Sequence, residues 1–328
     1  MKKFITGADG MLGNNLVRML LEHNYDIKVF IETGKKAQYL QELDMERSWG
    51  SILNYEELKN AMKGYDVVIH AAAKTDTLPP RDKNYWKINV EGTRNVIAAV
   101  KELGISRLIH IGTANSFGPG DEYDPGDESK PYAGKKFKLD YMCSKYAAQQ
   151  EVLKAVKNEG LDAVILNPTF MIGPYDSKPS SGTMILAVDQ GKLPGYPVGG
   201  RNFVYVKDVA QAIINAIDRG RTGECYILGN ENLTYKEAFE KMARVLSVKA
   251  PSLEVPRCLT LAYGGLLSLS ASIFRFTPPV NYPMALISTE KHFYSSKKAV
   301  DKLGMPQTPV DDAFEEAIKW FRDNSYIN

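Results

Sequence analysis

A tyrosine and a lysine lie four residues apart in the segment LDYMCSKYAAQQEVL, which begins at Leu139. On a helix, Tyr141 and Lys145 would project from the same face. A free phenol has a pKa of about 10, which is too high for efficient proton exchange near neutrality. A nearby ammonium group stabilises the phenolate and lowers that pKa. The spacing therefore predicts a proton-transfer pair; the alternative is a solvated helix face.

A hydroxyl group could complete this pair. The segment IHIGTANSFGPG follows a predicted strand at 107–112 and contains Thr113 and Ser116. The carboxyl ends of strands line the ligand crevice of an open parallel sheet. Either hydroxyl could therefore hydrogen-bond a substrate carbonyl there, and the alternative is that both merely cap a turn.

A glycine-rich turn near the start of the sequence indicates dinucleotide binding. In ITGADGMLGNNLV the glycines recur every three residues, between a predicted strand and a predicted helix. Glycine lets the backbone approach a diphosphate, and the first N–H groups of the helix face the phosphates. The residues expected to contact the cofactor here are Gly7, Asp9, Gly10, Met11, Leu12 and Gly13.

The choice of cofactor depends on the end of the second strand. The residue that recognises the adenosine ribose is expected about 20 residues after the turn, and Glu32 lies 19 residues after Gly13. A carboxylate accepts hydrogen bonds from ribose hydroxyls and repels a 2′-phosphate, which favours NAD. Lys35 and Lys36 follow directly and could pair with that phosphate, so NADP stays open. Glu32 could also be an exposed loop residue.

Five apolar runs in the first half predict buried strands, at 3–6, 27–31, 66–72, 107–112 and 162–167. Helical patterns alternate with them, at 11–23, 36–44, 85–103 and 140–159. This alternation predicts the α/β class, with a doubly wound parallel sheet of the Rossmann type.

The second half is less regular, because prolines interrupt residues 168–200. Helical patterns follow at 234–247, 257–275 and 310–325. We expect a dinucleotide-binding domain over 1–167 and a smaller, mostly helical substrate lobe over 168–328, with 203–228 returning to the first domain.

Composition restricts the class of partner. The 41 Lys and Arg residues nearly balance the 39 Asp and Glu residues, without a dense basic patch, which argues against nucleic acid. Cys143, Cys225 and Cys258 are far apart and lack metal-ligand spacing, so we expect no metal site and a cytoplasmic, reducing location. The start MKKFITGADG does not resemble a signal peptide.

One uncharged stretch, residues 258–274, is almost long enough to cross a membrane. A spanning helix needs about 20 mostly apolar residues, and glycines and serines dilute this one. We expect a buried or lid-like helix and no integral span; the alternative is contact with a membrane or a lipid-like ligand. The aromatic residues Tyr263, Phe274, Phe276 and Tyr282 suggest the wall of an apolar pocket, or packing of the small lobe.

Taken together, these motifs make the sequence resemble the extended short-chain dehydrogenase/reductase family over nearly its whole length. TGADGMLG is similar to the T-G-x-x-G-x-x-G loop of that branch, YMCSK to its Y-x-x-[ST]-K motif, and NVEGTRNV to its N-x-x-G-T segment. HAAAKTD resembles the motif after the fourth strand, whose backbone passes the cofactor and contains Ala71, Ala72 and Ala73. LNPTFMIGP resembles the loop beside the nicotinamide, with Pro168 and Phe170.

The resemblance implies roles for individual residues. The family's catalytic hydroxyl opens a segment that matches TANSFG, which selects Thr113. It implies that Tyr141 is the general acid/base and that Lys145 lowers its pKa and binds the nicotinamide ribose. Ser51 replaces an aspartate that contacts adenine in many members, so adenine recognition would depend on backbone groups near Ile52.

The resemblance also limits the chemistry. Dehydratases of the family carry Asp-Glu after the catalytic hydroxyl, whereas this sequence has Ala114 and Asn115. We expect an NAD(P)-dependent oxidoreductase that acts on a bulky, mostly apolar secondary alcohol or ketone, most similar to dihydroflavonol-reductase-like and hydroxysteroid-dehydrogenase-like members. The alternatives are a nucleotide-sugar epimerase with tightly bound NAD and a non-catalytic NAD(P)-binding regulatory protein. Arg201, with Lys178 and Lys192, could hold the epimerase's diphosphate. Family precedent implies a homodimer through the helices at 85–103 and 140–159.

Overall fold

Seven parallel strands form the central sheet in the computed structural model, which describes residues 1–276, 278 and 280–327. From one edge to the other they are β3 (Glu46–Gly50), β2 (Ile27–Glu32), β1 (Lys3–Thr6), β4 (Val67–His70), β5 (Arg107–Ile111), β6 (Ala163–Pro168) and β10 (Cys225–Leu228). The order reverses between β1 and β4, and a ligand crevice opens at such a reversal. The predicted doubly wound sheet is confirmed.

Helices cover both faces of this sheet, which explains why its strands are continuous apolar runs. One face carries α1 (Met11–Glu22), α7 (Val206–Arg219) and α11 (Lys297–Leu303), and the other carries α2 (Tyr55–Met62), α4 (Gly92–Glu102) and α5 (Asp140–Glu159). Leu16 and Ile213 are fully or nearly fully buried in the first core, and Val96 and Val152 in the second. Ahead of α4, a short helix α3 (Lys83–Trp86) continues through a π-helical segment, Lys87–Glu91.

A second, smaller sheet lies in the C-terminal half. Its strands are β9 (Gly200–Tyr205), which pairs with β7 (Phe170–Ile172), β11 (Glu231–Thr234) and β13 (Lys291–His292). The helices of this half are α6 (Thr183–Asp189), α8 (Tyr235–Leu246), α9 (Arg257–Phe274), α10 (Tyr282–Ser288) and α12 (Val310–Asp323). A two-stranded pair joins β8 (Tyr196–Pro197) to β12 (Glu254–Val255). The division at residue 167 remains a prediction.

The helix predicted at 36–44 is wrong. Only a 3-10 turn, Gln38–Leu40, forms there, and β3 and α2 follow where the apolar runs predict no element. Leu40 is the only buried residue of the turn. The Arg47 side chain also donates to the Leu40 and Met45 carbonyls, 2.6 and 3.2 Å away, and thereby holds an irregular path.

The predicted helix at 257–275 forms as α9. Of the two expectations for it, burial is wrong, and a lid-like role remains a prediction. Gly264 is its only buried residue among those described, whereas Leu266 is 66% exposed. The helix packs on α10 through a narrow strip of small residues: an added Cβ on Gly264 would lie 2.5 Å from Cβ of Ala285. By length and composition, α9 is the one described helix that could cross a membrane.

Candidate active site

The glycine turn between β1 and α1 leaves open space beside the helix. Gly7 has a φ of +77°, and a Cβ there would lie 2.5 Å from the backbone nitrogen of Ala72. A Cβ on Gly13 would overlap the Gly7 carbonyl oxygen. A Cβ on Gly10, in contrast, would meet no described atom closer than 3.7 Å. The first and third glycines are therefore required by packing of the chain, and the second keeps space that a diphosphate could occupy.

The N-terminus of α1 is available to an anion. Gly10 is the N-cap, and within the described chain no side chain caps this helix and no acidic residue lies in its first turn. The first N–H groups of a helix and their partial positive charge favour a phosphate. The residues present thus fit a dinucleotide, and the contacts expected from Met11 and Leu12 remain predictions.

The segment after β4 passes directly beside this turn. The Ala72 N–H donates to Oγ1 of Thr6 at 3.2 Å, and the same Oγ1 lies 2.8 Å from Nδ1 of His70. Burial lowers the pKa of His70 to about 3, with a further contribution from the charge of Lys145, so the imidazole is neutral. The backbone at Ala71 and Ala72, predicted to contact the cofactor, therefore lies against Gly7.

Buried hydrogen bonds link this region to α5. Nε2 of His70 lies 3.1 Å from Oγ1 of Thr93, which donates to the Asn89 carbonyl at 2.7 Å. The Asn89 side-chain amide donates to Oγ of Ser144 at 2.9 Å. Sequence reasoning missed Thr93 and Ser144 as partners of Asn89, although NVEGTRNV and YMCSK contain them.

The structure brings Thr113, Tyr141 and Lys145 together. Lys145 is buried, and its Nζ donates to the Ile111 carbonyl at 2.6 Å, at the end of β5. The Thr113 side chain lies close enough to the Tyr141 hydroxyl to lower the pKa of the phenol. Thr113 also caps the following turn, since Oγ1 accepts from the Asn115 N–H at 3.3 Å. The hydroxyl of Ser116 is buried without a hydrogen-bond partner among the described residues, so it does not share this arrangement.

Burial dominates the titration of both reactive groups. It lowers the pKa of Lys145 to about 8. It raises the pKa of Tyr141 above its usual value, against the opposing effects of the Thr113 side chain and the positive charge of Arg201. In the structure, the cation that lowers the Tyr141 pKa is thus Arg201, whereas sequence reasoning assigned that effect to Lys145.

Arg201 enters the site from the second sheet. Its Nε donates to the Tyr235 hydroxyl at 2.8 Å, and its guanidinium carbon lies 5.0 Å from the centre of the Phe170 ring. Both of these partners are uncharged, and the side chain is partly buried. Sequence reasoning considered Arg201 only as a diphosphate ligand, because the pairing of β9 with β7 and β13 was not predictable from local patterns.

Two carboxylates contact Lys35 in the region where the adenosine of the cofactor is expected to bind. Nζ of Lys35 lies 3.1 Å from the Glu32 carboxylate and 3.0 Å from that of Asp9. Burial alone would lower the pKa of Lys35, but the two carboxylates outweigh it and the pKa is raised. Lys35 is therefore already paired with two carboxylates. The 2′-phosphate of an NADP molecule bound here would lie near both of these negative charges.

The adenine contacts predicted for Ser51 and Ile52 remain predictions. The Ser51 N–H donates to the Glu57 carboxylate at 3.0 Å, and the Ile52 carbonyl accepts from the Asn95 amide at 2.9 Å. These backbone groups are thus already hydrogen-bonded within the chain, and the Ile52 side chain packs over Gly92.

Tyr141 packs against an apolar cluster. The buried residues Phe137, Leu139, Met142 and Ile287 form a cluster against its ring. The other aromatic residues expected to line a pocket lie outside it, since the structure exposes Tyr263, Phe274, Phe276 and Tyr282. Lys178 and Lys192 are also exposed, as expected for solvated surface residues.

The chain matches the profile of the NAD dependent epimerase/dehydratase family over residues 4–229. It therefore belongs to this family, and the extended short-chain dehydrogenase/reductase resemblance is confirmed. NAD, the favoured cofactor, agrees with the family description.

Individual relatives agree with this placement. A Synechocystis protein provisionally named dihydroflavonol 4-reductase is 32% identical, over 99% of this chain and 95% of its own. Sterol demethylase protein B of Methylococcus capsulatus is 30% identical over 100% of both chains. The crystal structure of gox2253 superposes with a TM-score of 0.88 at 32% identity, over 99% of both chains. The protein is thus an enzyme of the extended short-chain type.

Proposed function

We propose that the protein is an NAD(P)-dependent oxidoreductase that transfers hydride between nicotinamide and a secondary alcohol or ketone. The nicotinamide, when bound, would supply or accept the hydride. The observation that carries this proposal is the arrangement of Tyr141, Thr113 and Lys145, in which a phenol beside a threonine hydroxyl lies one helical turn from a buried ammonium group.

Tyr141 is the general acid/base in this proposal. During oxidation it takes the proton of the alcohol oxygen while the carbon loses hydride; during reduction it returns that proton to the ketone oxygen. The raised pKa of Tyr141 keeps the phenol protonated near neutrality, which suits proton donation to a ketone. Thr113 would hold the same oxygen by its hydroxyl.

Lys145 has a positioning role in this proposal. Its bond to the Ile111 carbonyl fixes the ammonium group at the edge of the crevice, where it could donate to the ribose hydroxyls of a bound dinucleotide. With a pKa of about 8, it is mostly protonated at neutral pH.

The substrate we propose is bulky and mostly apolar. The cluster of Phe137, Leu139, Met142 and Ile287 next to Tyr141 supports this, since such a wall favours hydrocarbon. The name of the Methylococcus relative, which refers to a sterol, is consistent with it. Ala114 and Asn115 follow Thr113 and carry no acidic group, so elimination by a dehydratase mechanism is not supported.

A second candidate, a nucleotide-sugar epimerase with tightly bound NAD, is favoured by one observation. Arg201 is a partly buried cation whose partners, Tyr235 and Phe170, are neutral. A guanidinium group in that setting could bind a diphosphate, and the family includes epimerases by its description.

A substrate panel tests these candidates. Ketones and secondary alcohols, with steroids and sugar nucleotides included, would be monitored with both cofactors by absorbance of the reduced nicotinamide. Cofactor-dependent turnover of an apolar ketone or alcohol supports the oxidoreductase. Conversion of a UDP-sugar without net redox change, by protein that retains NAD, would replace it with the epimerase. Cofactor binding without any turnover would indicate the regulatory protein.

A further inference from the structure

Exposed apolar residues are concentrated around α9. Ten of the fifteen large hydrophobic residues that are exposed in the described chain lie between Val248 and Tyr282. Scattered exposed hydrophobic residues are normal on a soluble protein, but a contiguous patch indicates an interaction surface. The centre of this patch, here called the α9 face, consists of Leu259, Tyr263, Leu266, Leu269 and Ile273.

The α9 face is on the outer side of the helix. Its five residues follow helical spacing and are each more than half exposed. The opposite side packs on α10, where Ser268 Oγ accepts from the Tyr282 N–H at 2.8 Å and Gly264 approaches Ala285. A surface helix of a soluble protein places its apolar side inward, and α9 does the reverse.

The charges around the face match an anionic surface. Residues 255–289 contain Arg257 and Arg275, one at each end of α9, and no Asp or Glu. Near the second arginine lie the exposed rings of Phe274, Phe276 and Tyr282. Leucines on one face, with arginines and aromatic rings at the margins, are typical of helices that lie in a membrane interface.

A second copy of the chain is a poorer occupant. Antiparallel pairing of two α9 faces would place Arg257 of each copy opposite Arg275 of the other, and parallel pairing would place each arginine opposite itself. The sequence provides no acidic residue between 255 and 289 that could neutralise them.

The segments that flank α9 favour a helix that lies on a membrane surface over one that crosses the bilayer. Immediately before α9, the short strand β12 pairs with β8. After α9, the buried side chain of Asn281 caps α10 by accepting from the Met284 N–H at 2.8 Å. Both ends are therefore fixed to the same lobe, whereas the ends of a spanning helix lie on opposite sides of the bilayer.

We propose that α9 docks on the surface of an anionic lipid bilayer, with the α9 face in the acyl boundary and its two terminal arginines at the phosphates. The helix between α9 and the site is α10, whose Leu286 and Ile287 pack in the Tyr141 cluster. Docking would thus place the substrate crevice beside the bilayer. The inference goes beyond the proposed function and does not depend on it, because lipid binding needs no turnover.

Vesicle flotation tests the proposal with the full chain. Wild type should float with vesicles of equal parts phosphatidylcholine and phosphatidylglycerol. The double variant Leu266→Asp, Leu269→Asp should bind at least about tenfold more weakly, because it loses two leucines that the bilayer would bury. The control Tyr123→Asp changes a residue that is 90% exposed outside the patch and should float like wild type. Arg257→Glu with Arg275→Glu should weaken binding to the anionic vesicles.

Wild type that stays unbound at high lipid concentration would overturn the proposal, as would a leucine double variant that floats as well as wild type. If the double variant instead converted a wild-type dimer into monomers, without any lipid binding by wild type, the face would be an interface between copies. Turnover of a soluble substrate, measured in parallel, reports on the proposed function separately.

Discussion

The ammonium nitrogen of Lys145 lies 2.6 Å from the carbonyl oxygen of Ile111, the last residue of β5. This contact ties the first turns of α5 to the strand end that precedes Thr113. It also explains how a buried lysine is tolerated, because its charge is partly compensated by a strand carbonyl. Burial nevertheless lowers the pKa of Lys145 to about 8, so the arrangement is costly in the protein without ligand.

Lys145→Met should change the pH dependence of stability. The pKa of Lys145 falls from 10.5 to about 8 on folding, so wild type carries a penalty of about 3 kcal/mol below pH 8. Between pH 8 and 10.5 the unfolded chain holds the proton and the folded chain does not, so wild-type stability rises relative to the variant. Urea unfolding at several pH values would measure this difference, with Lys157→Met, an exposed change on α5, as the control. A difference that stays constant over this range would contradict the buried charge.

Two glycines of the first turn should respond oppositely to alanine. Gly10→Ala places a methyl group in open space, so the free energy of unfolding should change by less than about 1 kcal/mol while dinucleotide affinity falls at least tenfold. Gly13→Ala overlaps the Gly7 carbonyl and should destabilise the fold by about 1–3 kcal/mol. Thermal unfolding and dinucleotide titration give both quantities. If Gly10→Ala bound the dinucleotide as tightly as wild type, the diphosphate would not lie beside Gly10.

Glu32→Gln should narrow the preference for NAD over NADP. In wild type, the carboxylates of Glu32 and Asp9 both contact Lys35. Removing one of them leaves more positive charge for a 2′-phosphate, so NADP should bind several-fold more tightly while NAD binds more weakly. Titration with each dinucleotide checks this, and Glu42→Gln, an exposed change outside the pair, should have no effect. If Glu32→Gln kept the wild-type preference for NAD over NADP, the adenosine ribose would not bind at Glu32.

Arg201→Met should shift the pH profile of oxidation. The charge of Arg201 lowers the pKa of Tyr141, so its removal should move the rising limb of the rate to higher pH. Arg201→Lys keeps the charge and should retain most of the wild-type profile. A loss of substrate affinity without any shift in the profile would instead make Arg201 a substrate ligand only.

Local patterns were sufficient to predict most strands of the central sheet, though not β3, together with the glycine turn. Contacts between distant segments were not predictable in this way. The placement of Arg201 beside Tyr141 depends on strand pairing across the small lobe, and the Ile111 carbonyl carries no side-chain signal. The exposure of α9 could not be inferred, because apolar composition is the same for a buried helix and an exposed one. The homodimer and the cytoplasmic location remain predictions.

The most direct test of the central claim is turnover by Tyr141→Phe, measured on whichever alcohol or ketone the panel identifies. The variant keeps the ring and removes the hydroxyl that would transfer the proton, so the rate should fall by about 10²–10⁴. Dinucleotide affinity should stay within about twofold, and Tyr146→Phe, which keeps the ring stacked 4.2 Å from Tyr132, should behave like wild type. A Tyr141→Phe enzyme with wild-type turnover would contradict proton transfer by this residue.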